Sequence, residues 1–465
     1  MINEKNKTKN AKVLPFIAIV IGFFMTLLDT TIVNIALPKI AESFNRSVQD
    51  ITWVSNGFNI ALAVIILTAS RIGDQFGRKK LFLFGLFVFT ITSFLEGFST
   101  SLEMLIALRV IQGLSAGIIV PLTIPLSVEI FSVEKFGAIV GIWGAVGGCA
   151  SACGPALGGI LTNAFNWQAV FFVNVPFGII SFILSAILLK ESFDETASKK
   201  IDFLGITTVS ISMLTLILGL VQAPDKGWTS VNTLMLFSTS LITMVAFIFI
   251  ELNSEEPMLP MQLLQSKYFS SASITLIFMT AGMMAGSFLV SFFLTRIMKL
   301  SVLDAGLTII AMPIAMIIFS LIAGPISNKI GARPFAVAGI ILTSISVYLF
   351  GTLNADSSRF DVMWRLLISG AGIGMTMSPL MASTVRNAPR DKVGIASGVA
   401  NVSRTFGMVL GVAILATLLS NNINYTSLNN YVSYDNTFKT FSFILIFGIV
   451  FAIFSDKSRK VKDIN

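Results

Sequence analysis

The chain has 465 residues, of which 54% are hydrophobic and only 12% charged, with a mean hydropathy of +0.85. No soluble core of this length needs so much apolar surface, so the composition excludes an ordinary globular protein and indicates one built for a membrane. The formal charge of +8 does not mark a nucleic-acid groove, because the basic residues stand in short loops between apolar runs, where they act as topology signals.

In chain order, residues 1–12 form a Lys-rich leader that is expected to be cytoplasmic. It enters the first apolar stretch without a small-residue cleavage site, so that stretch is expected to stay in the chain. Windows long enough to cross ~30 Å of hydrocarbon follow near 13–36, 51–70, 81–98, 103–126, 136–160, 168–189, 203–222, 232–251, 269–294, 305–326, 335–353, 362–384, 394–420 and 438–455. Fourteen spans put both termini on one side. Of the 32 Lys and Arg residues, 22 stand on the side of the N-terminus, 7 on the other side and 3 within spans, at Arg109, Arg365 and Arg404. The positive-inside rule then predicts that both ends are cytoplasmic.

The decapeptide RIGDQFGRKK at Arg71–Lys80 returns in degraded form as PISNKIGARP at Pro325–Pro334, each time between two apolar runs. Such an echo marks an internally duplicated membrane protein and a transporter candidate. If the two loops are equivalent, each follows the second helix of a six-helix unit. The predicted plan is then an N-terminal bundle at 13–189, linkers and an inserted helix pair at 190–268, a C-terminal bundle at 269–455 and a cytoplasmic tail at 456–465. The polar stretches KESFDETASKKID and ELNSEEPMLPMQLLQSK are the joints around that insertion.

Several motifs in order resemble the major facilitator superfamily, in particular its fourteen-helix drug:proton antiporter group. SRIGDQFGRKK from Ser70 to Lys80 is similar to the family's loop motif, with Ser70 in place of the first glycine and Gln75 in place of an arginine. LLDTTIVNIALP at Leu27–Pro38 resembles the signature of the fourteen-helix group, and LRVIQGLSAG at Leu108–Gly117 resembles the motif whose arginine is tied to proton transfer. GPALGG at Gly154–Gly159 resembles the antiporter motif, although Ala150 stands where a leading glycine is usual. WQAVFFVNVPFG at Trp167–Gly178 and VGIASGVANVSRTFG at Val393–Gly407 are also similar to group signatures. The resemblance covers nearly the whole chain. It implies an all-α membrane protein of the major facilitator fold, with 14 transmembrane helices as two six-helix bundles plus an inserted pair.

The residues carry their own physical reading. Asp29 is a lone carboxylate in an apolar helix, and Arg109 lies at a matching depth, each roughly 9–11 Å from the outer boundary at 1.5 Å per residue. Burial and a neighbouring cation act on a carboxyl in opposite senses, so this pair suits proton coupling, either as an exchanging site or as a static ion pair. Gln112, one turn from Arg109, extends the polar patch. The chain has no His, which leaves proton chemistry to carboxylates.

The loop residues Gly73, Asp74, Gly77, Arg78 and Lys79, with Glu129 as partner of Arg78, read as a conformational latch at the cytoplasmic surface, or as topology charges alone. Asn328 replaces the acid in the second copy. Gly154, Pro155, Gly158 and Gly159 would let span 5 bend and approach a neighbour; the resemblance links them to antiport. Cys149 and Cys153, four apart on one helix, read as small packing residues.

Candidates for a substrate cavity are Asn34, Trp53, Asn56, Gln112, Trp143, Asn174 and Arg404, Trp53 being equally suited to an interfacial belt. Glu96, at an outer helix end, reads as a vestibule acid or a solvated one, which leaves Asp29 as the only acid well inside the predicted spans. The expected activity is proton-coupled export of lipophilic cationic drugs across the bacterial inner membrane, driven by the proton motive force without a cofactor or metal. The expected partners are small amphipathic substrates, protons and the bilayer, not nucleic acid. Alternatives are export of an anionic or endogenous amphiphile, or a membrane sensor without transport. An enzyme is not expected, because no nucleophilic, metal or nucleotide motif is present.

Overall fold

The computed structural model describes residues 2–46, 48–131, 136–193, 202–254, 257, 259, 261–386, 393–423 and 431–456. These residues form α1 (Ile2–Phe44), α2 (Val48–Phe76), α3 (Arg78–Glu96), α4 (Leu102–Phe131), α5 (Phe136–Ala164), α6 (Ala169–Phe172) and α7 (Asn174–Leu188). A hairpin of α8 (Phe203–Lys226) and α9 (Val231–Asn253) follows, then α10 (Met261–Gln265) and α11 (Lys267–Met284). Two π-helical turns flank α12 (Val290–Phe292) and carry this span on to Ile297. The remainder is α13 (Val302–Ile309), α14 (Ala311–Ile330), α15 (Arg333–Phe350), α16 (Arg359–Arg386), α17 (Val393–Ile423), α18 (Tyr431–Ile446) and α19 (Gly448–Ile453).

Among the described residues, twelve helical segments are long and apolar enough to cross a membrane. A hydrocarbon interior forces this architecture, since a helix satisfies its own backbone polar groups within one segment. α3 and α5, which correspond to the predicted windows 81–98 and 136–160, stand beside those twelve as helices of 19 and 29 residues. α3 carries Arg78, Lys79 and Lys80 at one end and Glu96 at the other. Its Phe84, Phe87, Ile91 and Phe94 are exposed, as are Ile179, Ile183 and Ile187 of α7 and Leu241, Ile242 and Phe249 of α9. Rows of bare apolar side chains suit contact with lipid and not with water.

The packing repeats between the two halves of the chain. α2 lies on α4 as α14 lies on α16, α3 on α4 as α15 on α16, and α1 on α5 as α11 on α17. The contacts between the halves repeat as well: α5 packs on α14, and α17 packs on α2. The hairpin breaks this symmetry. α8 lies against α2 and α17, and Trp228 at the hairpin turn donates to Thr417 Oγ1 of α17 at 2.8 Å.

Both echoed loops turn on a glycine with positive φ, Gly77 at 117° after α2 and Gly331 at 87° after α14. An L side chain rarely adopts that conformation, which is why the glycine survives in the degraded copy.

Candidate functional site

Asp29 of α1 and Arg109 of α4 meet in the N-terminal half, 0% and 1% exposed, with Nη1 of the guanidinium 2.6 Å from Oδ2 of the carboxylate. The equal depth inferred from the two helices is therefore matched by direct contact. Arg109 also donates from Nε to the Val54 carbonyl at 3.0 Å and from Nη1 to Gln112 Oε1, and its guanidinium lies 4.2 Å from the Phe58 ring centroid. On the other side, Asn174 Nδ2 donates to Asp29 Oδ1 at 2.8 Å and to Ser93 Oγ at 3.2 Å, and Ser93 donates to the Phe171 carbonyl. A buried ion pair is tolerated only when its remaining donors and acceptors are matched in this way. An apolar cluster of Ile32, Val33, Val54, Leu105, Trp167 and Phe171 packs beside the pair.

Gln112 extends the polar patch of Arg109 as one reading of the sequence had it, and Asn174, read from the sequence as a cavity residue, is a partner of the ion pair as well. Each keeps one buried atom without a hydrogen bond among the described residues, Asn174 Oδ1 and Gln112 Nε2. A larger correction concerns Glu96. It is 0% exposed, its two carboxyl oxygens have no hydrogen-bond partner among the described residues, and it lies within electrostatic reach of Arg109 and Asp29. The solvated and vestibule readings both fail, and Asp29 is not the only buried acid near Arg109. A helix end near the outer boundary looks wet in sequence, but α6 folds over this one. Phe172 sits against Gly97 so closely that a Cβ there would lie 2.3 Å from the ring, and it meets Phe94 and Phe98 in tilted and edge-on contacts.

The other cavity candidates divide. Trp143 is core: it is 6% exposed, packs with Phe16 and Phe23 and donates from Nε1 to Thr123 Oγ1 at 2.8 Å. Trp53 is half-buried and packs on the cluster of Ile60, Ala63 and Ile217, which joins α2 to the hairpin. Asn34 is exposed and accepts from Ser55 Oγ at 2.8 Å across α1 and α2, and Asn56 is half-buried on the same stretch of α2. Arg404 is half-buried in α17, with its Nε buried and without a hydrogen bond among the described residues. Arg365 is committed to structure, since it binds the Leu349 and Asp361 carbonyls and Thr352 at the end of α15.

At the Gly77 loop, Arg78 Nε and Nη2 each approach Asp74 Oδ1 to 2.8 Å, and Nη1 reaches Glu129 Oε1 at 3.4 Å. Asp74 and Arg78 are buried, not at the surface as read from the sequence; only Glu129 is open. Close approach of α2 to α4 buries them, and a Cβ on Gly73 would lie 2.4 Å from Leu122. Sequence reasoning missed Glu191. Its carboxylate accepts from the Lys79 and Lys80 amides at 2.9 and 3.3 Å and so caps α3, while Lys79 Nζ binds the Ala186 carbonyl. Its only sequence signal is an acid following the sixth predicted span.

In α5, Gly154 and Gly158 face α1 beside the Asp29 turn. A Cβ on Gly154 would lie 2.0 Å from Thr31 Oγ1, and one on Gly158 2.9 Å from the Ile32 carbonyl. Gly159 meets nothing within 4 Å, so it does not share in that approach. The helix is continuous through Pro155, whose side chain lies outside those described. Nearby, Cys149 and Cys153 are free, with their sulfurs 3.9 Å apart.

Two repeated sets of helices, the first holding a buried acid–arginine pair, fit a multi-pass membrane protein of the transporter class. The Major Facilitator Superfamily model matches residues 19–412 and 271–465, and the chain belongs to that family. It is 32% identical over 412 residues to the tetracenomycin C resistance and export protein of Streptomyces glaucescens, covering 88% of this chain and 76% of that one. It is 30% identical over 418 residues to the multidrug transporter protein MdtP of Bacillus subtilis, covering 90% and 77%, and 31% identical over 409 residues to the riboflavin transporter RibZ of Clostridioides difficile, covering 88% of each. The structure of the human organic anion transporter MFSD10 shares the fold, with a TM-score of 0.67 at 13% identity over 96% of this chain and 99% of that one.

Proposed function

We propose that this protein is a proton-coupled antiporter that exports lipophilic cationic drugs across the bacterial cell membrane by alternating access. Fourteen spans form two six-helix bundles, 13–189 and 269–455, which rock about the site, with α8 and α9 inserted between them and both termini in the cytoplasm. The observation that carries this reading is the Asp29–Arg109 contact. Opening a buried pair to leave one charge alone costs about 3–5 kcal/mol, so the pair yields only when another cation, a proton or a drug ammonium, takes its place on Asp29. That mutual exclusion is antiport. The names of the tetracenomycin C and MdtP relatives support drug export. The Asp74–Arg78–Glu129 group serves as the latch at the cytoplasmic side, and Asn34 and Asn56 offer polar contacts to substrate.

A second reading is export of an anionic amphiphile, favoured by the unmatched guanidinium Nε of Arg404. Inhibitory concentrations for matched lipophilic monocations, dications and acids in a pump-deficient host test the two readings. Protection against monocations, lost when a protonophore collapses the proton gradient, supports the first. Protection confined to acids, and lost in Arg404→Ala, would replace it with the second.

A further inference from the structure

Glu96 is the one buried carboxyl of this site that the Asp29–Arg109 contact does not use. The elements packed against α3 carry Asp50, Arg71 and Asp74 on α2 and Glu103, Arg109 and Glu129 on α4; of these Arg109, together with Asp29 of α1, lies within electrostatic reach of Glu96. α6 and α7 carry no charge. Glu96 stands one helical turn beyond Ser93, which Asn174 ties to Asp29, so the second acid lies next to the polar chain that holds the first without being hydrogen-bonded to it. Phe172 of α6 packs directly on Gly97, the residue that follows Glu96.

An ionised carboxylate, fully buried with both oxygens unmatched, is far costlier than the neutral acid. We propose that Glu96 is a second proton-carrying carboxyl, which holds its proton while Arg109 is engaged by Asp29 and exchanges that proton for Arg109 when Asp29 is neutralised. The exchange balances. With Asp29 ionised, Arg109 charged and Glu96 neutral, the three groups sum to zero; with Asp29 neutral, Arg109 charged and Glu96 ionised, they again sum to zero. One proton bound at Asp29 is therefore matched by one released from Glu96, and no net charge is left in the hydrocarbon at either stage. The guanidinium is suited to this because it keeps its charge and carries donors on both edges of its plane. Its role in transport rests on the proton-coupled reading above; its protonation does not.

Infrared difference spectra of the full chain in lipid vesicles, without substrate, test the inference. At neutral pH the wild type should show the carbonyl band of a protonated carboxylic acid, and Glu96→Gln should lose it. Asp29→Asn should lose it too, because Arg109 is then free to turn to Glu96; a purely structural glutamic acid would keep its band in that variant. Proton-driven export by Glu96→Gln should fall at least tenfold, with recovery in Glu96→Asp. A wild type with no such band, or a band that persists in Glu96→Gln or in Asp29→Asn, overturns the inference. If Glu96→Gln fails to insert, Glu96→Asp replaces it, and a band unmoved by that change is equally fatal. Export that ignores the proton gradient in the wild type would sink the proposed function, while the spectra still decide whether Glu96 holds a proton.

Discussion

Glu191 and Asp456 do the same work in the two halves of the molecule. Glu191 follows α7 and accepts from the amides that open α3 after the Gly77 turn; Asp456 follows α19 and accepts from the Ala332 amide at 2.7 Å after the Gly331 turn. In each half an acid just beyond the last helix caps the helix after the echoed loop, which closes the unit on itself. The sequence echo between the loops does not extend to these acids, because Glu191 and Asp456 share no flanking pattern.

Removing either cap should therefore loosen one half. Glu191→Ala and Asp456→Ala are each expected to cost ~1 kcal/mol, with Asp456 the costlier because it is buried and leaves the Ala332 amide orphaned. Thermal unfolding of the detergent-solubilised protein measures this, and an unchanged midpoint in Asp456→Ala would deny the cap its role.

Asp29→Asn keeps size and retains an acceptor for Asn174 while removing the charge that Arg109 meets. Insertion should be normal and proton-driven efflux abolished, as followed by ethidium release at graded external pH. Undiminished pH-dependent efflux would show that coupling lies elsewhere.

The Asp74–Arg78 contact is buried but reaches the open Glu129, so its loss shifts the balance between states without touching the substrate region. Asp74→Ala should lower turnover about tenfold, the effect of roughly 1.4 kcal/mol on that balance, and leave substrate affinity nearly unchanged. Transport kinetics with a fluorescent substrate separate the two quantities; a large loss of affinity at normal turnover would place the loop on the substrate path.

Two glycines five residues apart should respond oppositely to a side chain. Gly154→Val drives a Cβ into Thr31 and pushes α5 from α1 beside Asp29, with an expected cost of ~1–3 kcal/mol and a marked loss of transport. Gly159→Ala enters open space and should be neutral in both measurements. Equal tolerance at the two sites would mean that the close contact of α5 with α1 is not needed.

The sequence by itself determined the helical class, twelve segments long and apolar enough to cross a membrane, and the Asp29–Arg109 pairing. Hydrocarbon imposes this legibility: each span must satisfy its own backbone, so hydropathy records it locally, and two charges inside such spans have few places to go except to each other. Only tertiary structure decided which other polar residues join them. Glu96 read as a vestibule or solvated acid because it ends a helix, yet it is fully buried, with Phe172 of α6 packed on the adjoining Gly97. Asn174 and Trp143 looked like cavity linings, yet one holds Asp29 and the other fills the core against Phe23 and Thr123. Nearly every span here has apolar residues on all faces, so periodicity leaves its rotation undetermined. The close contacts at Gly73, Gly97 and Gly154 fix that rotation, and with it which side chains reach the buried pair.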